Sequence, residues 1–199
     1  MKASEQYGYL DIQTDSTDND AFTLFTEPLA KIVANSGKRV WLEARLEIGD
    51  ADANQGFFFG LGEEACQSLE LIVDDNANLI TETLVGYRIF SPADTSEAAI
   101  DLVAQKDAGA ESVILSDVTD ADSLGTAGAA LADNTEYKLG IVFDGSTTMK
   151  FYVNGTLVAK DTVDTTYYDA TKALCVLASL KTAAAQSIAV DWVAYACEI

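Results

Sequence analysis

Few side chains in this sequence could do chemistry, and their types narrow the field at once. The chain contains no histidine. That removes Ser-His-Asp and Cys-His nucleophilic catalysis, histidine acid–base work and the common zinc sites. No Walker loop or GxGxxG stands before a helix. The remaining route to bond cleavage is a carboxylate pair. Glu43 and Glu47 share one face of a strand, but four residues separate them, about 13 Å along extended chain. That exceeds the spacing of retaining and inverting glycosidase pairs alike. Arg45 lies between them on the same face and favours their ionised forms. Glycoside hydrolases built on β-sandwiches carry Glu-x-Asp-x-x-Glu, which is absent here. Asp191, flanked by Val190 and Trp192, is a candidate buried acid, and neighbouring backbone is its expected hydrogen-bond partner. These observations predict a protein that is not an enzyme.

Oxygen-rich loops and aromatics offer binding instead. Asp50, Asp52 and Asn54 alternate as ligands do in calcium loops. Gly56 comes one place too late for an EF-hand and no glutamate follows at the twelfth position, so calcium is a candidate only, and no other cofactor is expected. Asp117, Asp120 and Asp122 form a second acidic cluster. A lectin-like site needs exposed aromatics above polar groups. Tyr167 and Tyr168 beside Asp164 or Asp169 could supply one, as could Trp41. Tyr7, Tyr9, Leu10, Trp41, Tyr167 and Tyr168 are equally candidates for a subunit contact, because interfaces are enriched in aromatics.

The elements that must position these groups read as strands. Tyr137, Leu139, Ile141 and Phe143 alternate with Lys138, Gly140, Val142 and Asp144, the period of a strand with one inner face. Asp144-Gly145 breaks that run and Asn154-Gly155 breaks the next. Asn-Gly between apolar runs is the strongest short hairpin signal, since a type I′ turn needs positive φ at both central residues. A two-residue loop sets Val153 opposite Thr156, Tyr152 opposite Leu157 and Phe151 opposite Val158. Lys38 to Ile48 alternates cleanly, with Val40, Leu42, Ala44, Leu46 and Ile48 on one face. Lys172 to Leu180 and Ser187 to Ile199 are apolar on both faces, as strands covered on both sides are. Gly56–Gly62, Leu69–Val73, Leu84–Ser91, Ala98–Gln105 and Ser112–Val118 read as further strands, and Asp120 to Asp133 as a loop. With about ten to thirteen short strands and turn signals every 8–12 residues, the expected fold is all-β: a two-sheet antiparallel jelly-roll sandwich. Residues 21–199 form one domain, and residues 1–20 an N-terminal arm or edge segment.

Composition sets the partners. The 199 residues carry 32 Asp plus Glu against 12 Lys plus Arg, a net charge of -20. Nucleic acid and anionic membrane surfaces are disfavoured, because both need a basic footprint. Three cysteines, Cys66, Cys175 and Cys197, make no disulfide framework and fit a reducing compartment. The first twenty residues hold no apolar signal core, and no apolar run reaches a membrane span, so synthesis in the cytoplasm is expected.

The run KLGIVFDGSTTMKFYVNGTLV, with VDWVAYACEI closing the chain, resembles the concanavalin A-like jelly roll of laminin G and lectin-type domains. A narrower resemblance runs from about Phe22 to the end: SGKRVWLEAR, then GFFFGL, LVGY, the Asn-Gly hairpin and Asp191-Trp192. This succession is similar to the jelly-roll decoration, or cement, proteins of tailed-phage heads. It departs where Val193-Ala194-Tyr195 replace a second aromatic and a basic residue. The resemblance implies a virion protein on the capsid exterior, made in the host cytoplasm, with the major capsid protein and its own copies in a homotrimer as partners. It implies no catalysis, and residues 1–20 become an arm on the capsid or on a neighbouring protomer. A carbohydrate-binding, lectin-like module is the alternative function, and a glycoside hydrolase a more remote one.

Overall fold

The computed structural model describes residues 10–15, 20–49, 55–68, 71–73, 79–91, 99–107, 109, 112–115, 134–182 and 187–198. Among them are twelve strands: β1 Leu10–Gln13, β2 Asp20–Phe25, β3 Val40–Ile48, β4 Gln55–Glu63, β5 Leu84–Ser91, β6 Ala99–Gln105, β7 Ser112–Leu115, β8 Thr135–Phe143, β9 Thr148–Val153, β10 Thr156–Thr162, β11 Leu174–Thr182 and β12 Ser187–Cys197. They form two six-stranded sheets, in the orders β1-β12-β3-β8-β9-β10 (sheet A) and β2-β11-β4-β5-β6-β7 (sheet B). Every strand pairing is antiparallel. The fold is the jelly-roll sandwich expected.

The period-two residues do what their alternation dictates. Leu42, Ala44, Leu46, Leu139, Ile141, Phe143 and Phe151 of sheet A meet Phe57, Phe59, Val85, Tyr87 and Leu102 of sheet B in one buried layer. The Asn154-Gly155 turn has φ of 51° and 82°, the signature of the type I′ loop. Val153 faces Thr156 and Tyr152 faces Leu157 as expected, but a bulge then sets Phe151 opposite Ala159, not Val158. The extra residue lets Val158 and Ala159 both turn inward, at the cost of one break in the ladder.

The two sheets differ in their outer faces. Phe58, Leu84, Val103, Cys175 and Leu177 of sheet B form a second buried cluster with Cys66, Leu71, Ile72 and Leu79. Among the described residues between β4 and β5, Cys66, Leu71, Ile72 and Leu79 therefore lie over sheet B like a lid. The lid is pinned by Gln105 Nε2 on the carbonyl of Ile80 and Lys181 Nζ on that of Val73, each at 3.1 Å. That segment opens with a 3-10 turn, Glu64–Cys66; of the strand expected over Leu69–Val73, the described residues 71–73 show an isolated bridge, Ile72 to Leu79. β11 is consequently buried along its whole length. β12 is not: its second half is exposed at Val193, Tyr195 and Ala196. Burial on both faces, expected for both strands from their apolar composition, holds for β11 alone.

Candidate functional site: the outer face of sheet A

With the centre of sheet B covered, the outer face of sheet A is, among the described residues, a broad strand surface open to solvent. Register places its side chains in rows. Across β12, β3, β8 and β9 run Ala196, Trp41, Val142 and Lys150; then Ala194, Glu43, Gly140 and Tyr152; then Trp192, Arg45 and Lys138. Gly140 lacks a side chain in the middle of this lattice. The result is a dent of about 160 Å³ walled by Trp41, Glu43, Val142, Tyr152 and Gly155. A Cβ added at Gly140 would stand 3.5 Å from Tyr152 Cβ and 3.8 Å from Glu43 Cγ, ordinary contact distances. The space is therefore large enough for a methyl and is not demanded by the backbone.

The dent is braced from beneath. Tyr87, buried in β5, reaches across the core to sheet A. Its hydroxyl lies 2.6 Å from the carbonyl of Gly140 and 2.8 Å from that of Tyr152, and accepts the Tyr152 N–H at 3.0 Å. The phenol donates its one proton to either carbonyl. Burial, which outweighs these backbone contacts, pushes the Tyr87 hydroxyl far above its ordinary pKa, so it stays a neutral donor. Phe151 meets the Tyr87 ring edge to face at 6.1 Å.

The charges around the dent are paired. Lys138 Nζ lies 2.5 Å from Glu43 Oε1 and 5.8 Å above the Trp192 ring. Arg45 bridges Glu136 and, at 3.1 Å, Asp191. Asp191, expected as a buried acid bonded to neighbouring backbone, is partly buried, and the Arg45 guanidinium is its partner. It occupies the bulge between Val190 and Trp192. The carboxylates here are engaged with cations, and Glu43 and Lys138 present oriented oxygen and nitrogen atoms at the rim. Such a surface can hydrogen-bond and stack.

The other candidate residues fall elsewhere. Trp41 is 36% exposed on the outer face, as expected. Tyr168 is buried, its hydroxyl donating to Asp161 Oδ2 at 2.6 Å; Tyr167 packs partly against the core. Tyr168 therefore props the loop after β10 and is not an exposed contact aromatic. Leu10 is exposed at the start of β1. Tyr7, Tyr9, the calcium candidates Asp50, Asp52 and Asn54, and the cluster Asp117, Asp120 and Asp122 lie outside the described residues. All three cysteines are free thiols, and burial, with the nearby Glu63 and Glu82 charges, pushes the Cys66 thiol up to about 12.

Sequence reasoning missed two features. Glu63, Glu82 and Asp107 converge with carboxylate oxygens within 4.8 Å of one another. They sit at the ends of β4, β5 and β6, so only sheet register brings them together. These acids could hold a cation, but the Lys172 ammonium already binds Glu63 and stands 3.5 Å from Asp107. Burial alone would raise the Glu63 carboxyl; Lys172 and the Thr83 N–H outweigh it and hold it below its usual range. Burial and the neighbouring Glu63 and Asp107 charges raise Glu82. The second is Gly140 itself. Its position opposite Tyr152 and beside Glu43 could have been found by aligning the alternating runs, but those runs do not reveal which face is solvent.

No family model matches the sequence, and no curated protein is significantly similar to it. Solved structures share its fold at low identity. The carbohydrate recognition domain of Emp47p matches with TM-score 0.63 at 9% identity, over 98% of this chain and 85% of that one. The alginate lyase AlyC3 matches with TM-score 0.61 at 10% identity, over 95% and 75%. The CBM2 module of the evolved Dit protein of Lactobacillus casei BL23 phage J-1 matches with TM-score 0.55 at 13% identity, over 92% and 72%. These structures share with the chain the two-sheet jelly-roll fold.

Proposed function

We propose that the protein is a binding module without catalytic activity, and that the outer face of sheet A takes a neutral saccharide. The observation that carries this reading is the Gly140 dent between Trp41 and Tyr152. Aromatic side chains accept the apolar face of a sugar ring, and Glu43 and Lys138 at the rim can bond its hydroxyls. Neighbours of the same fold include a lectin domain and a carbohydrate-binding module, which supports this class of ligand. The net charge of -20 repels acidic polymers such as alginate, so a neutral glycan is favoured. A glycan array followed by calorimetry on the hits tests it. Gly140→Ala raises a methyl from the floor of the dent without crowding the sheet and should weaken binding about tenfold or more, the loss expected from one well-placed contact. An array without hits, or full affinity in Gly140→Ala, refutes it.

A second reading is that the chain decorates the outside of a phage head. It rests on the resemblance along SGKRVWLEAR, GFFFGL and the Asn-Gly hairpin. Exposed Val193 and Tyr195 on β12 also favour it, since such residues suit a protein contact. In that reading the major capsid protein is the partner and the acidic surface keeps particles dispersed. Added subunits that bind only the assembled shell stabilise it by mass action. Mixing the purified protein with undecorated heads and imaging them tests this. Bare heads at saturating protein dismiss it.

A further inference from the structure

The connection from β2 to β3 passes from sheet B to sheet A. Beside it, where the strand ends Val40, Ala173 and Glu198 come together, lies a cavity of about 410 Å³. It shares no lining residue with the Gly140 dent. Leu29, Ala30, Val33, Val40 and Ala173 give it an apolar wall, and Lys31, Ser36, Lys38 and Glu198 add polar groups. Backbone hydrogen bonds fix the connection at two places. The N–H of Leu29 donates to the carbonyl of Leu174 and the N–H of Leu174 to that of Ala30, each at 2.8 Å. Further on, Asn35 and Gly37 take φ of 58° and 72°, and the Gly37 N–H donates to the carbonyl of Gly145 at 2.7 Å. Ser36 Oγ accepts the Lys38 N–H at 3.2 Å. The walls therefore stand before any ligand arrives, which lowers the ordering cost of binding.

Charge shows what the cavity suits. Arg39, Arg45, Arg88, Lys138 and Lys172 are each held by a carboxylate, in a chain where acids outnumber bases 32 to 12. Lys31 and Lys38 are exposed, and among the described residues neither ammonium has such a partner. The acid on the wall, Glu198, is already engaged by the Arg39 side chain at 2.7 Å and 3.1 Å. We infer that this cavity binds a small amphiphilic monocarboxylate, with its hydrocarbon body against the Leu29–Val40–Ala173 wall and its carboxylate on Lys31 and Lys38. A volume of this size lies within the range of small-ligand pockets. Charge-assisted bonds from an ammonium fix the head, and burial of the body supplies the apolar gain. Glu198 beside the lysines disfavours a second negative charge on the ligand. A polyanion meets the repulsion of the whole acidic surface, whereas a monocarboxylate sets one charge beside two cations.

Calorimetric titration of the full chain with octanoate tests the inference, with 1-octanol and inorganic phosphate as comparison probes. Octanoate should bind. The alcohol should bind about tenfold or more weakly, because it offers the same apolar body without the charge. Phosphate, which has no apolar body, should not compete. Lys31→Gln combined with Lys38→Gln should lower octanoate to the affinity of 1-octanol and leave 1-octanol unchanged. Both lysines are exposed, so melting temperature should stay close to the parent's. Ala173→Leu narrows the cavity and should weaken octanoate and 1-octanol together, while Gly140→Ala should affect neither. Failure of octanoate to bind at millimolar concentration overturns the inference, as does octanoate binding indifferent to the paired lysine substitutions. Equal affinity for octanoate and 1-octanol overturns it too, and would make the cavity a seat for any apolar group, such as a partner's side chain. Phosphate binding as tightly as octanoate would make it a simple anion site instead.

Discussion

A single buried phenol supports the proposed binding surface from behind. Tyr87→Phe removes the hydroxyl that serves Gly140 and Tyr152 and leaves buried backbone groups without that partner. The expected loss is about 1–3 kcal/mol, read by chemical denaturation, together with weaker saccharide binding because the floor of the dent is no longer held. Unchanged stability would mean that water replaces the hydroxyl. Glu63 makes a second prediction at this scale. Its folded-state pKa is depressed below the ordinary carboxyl value of 4.5. A depressed carboxyl contributes stability that is present above the unfolded value and lost as pH falls through the folded one. Unfolding free energy should therefore drop as pH is lowered below about 4.5, and drop less steeply in Glu63→Gln. Identical slopes for the two proteins would assign the acid sensitivity to other carboxylates.

At the scale of elements, glycines distinguish the two sheets. Gly140 on sheet A has room for a methyl group, so Gly140→Ala should alter stability little. Gly60 and Gly86 face each other in sheet B, and a Cβ on Gly86 would stand 2.4 Å from the carbonyl oxygen of Phe59 and 2.9 Å from the Phe58 ring. Backbone cannot yield as a side-chain tip can. Gly86→Ala should cost about 3 kcal/mol, the upper end for overpacking, seen as a lower denaturant midpoint. A near-neutral result would show that β4 and β5 can separate. The contrast follows from strand approach: the atoms a Gly86 Cβ would meet all belong to the neighbouring strand β4, whereas those around Gly140 stand at ordinary contact distance.

For the whole molecule, charge governs association. With a net charge of -20, two copies repel at long range. Raising salt from about 0.01 M to 0.15 M shortens the screening length from about 30 Å to 8 Å. Self-association should tighten over that range, whereas binding of a neutral sugar should hold constant. Sedimentation and calorimetry at both salt concentrations check the pair of outcomes; weaker self-association in salt would point to an ionic interface instead. The trimer implied by the phage-head resemblance is read in the same sedimentation measurement.

The sequence alone determined the sandwich, because the information is local. Alternation along Lys38–Ile48 and Tyr137–Phe143 assigns inward and outward faces residue by residue, and Asn154-Gly155 dictates its own turn. It likewise placed Trp41, Glu43 and Arg45 together on an outer face. Only the tertiary structure decided what those faces meet. Whether an apolar strand face is core or surface depends on where distant residues lie, here Cys66, Leu71, Ile72 and Leu79 over sheet B. Bulges at Val158 and Asp191 shift register by one residue in response to packing and ion pairing that span the fold. The dent at Gly140 and the Glu63–Lys172 cluster both arise from contacts between residues far apart in the chain. No periodicity encodes such contacts, because they exist only once the sheets have stacked.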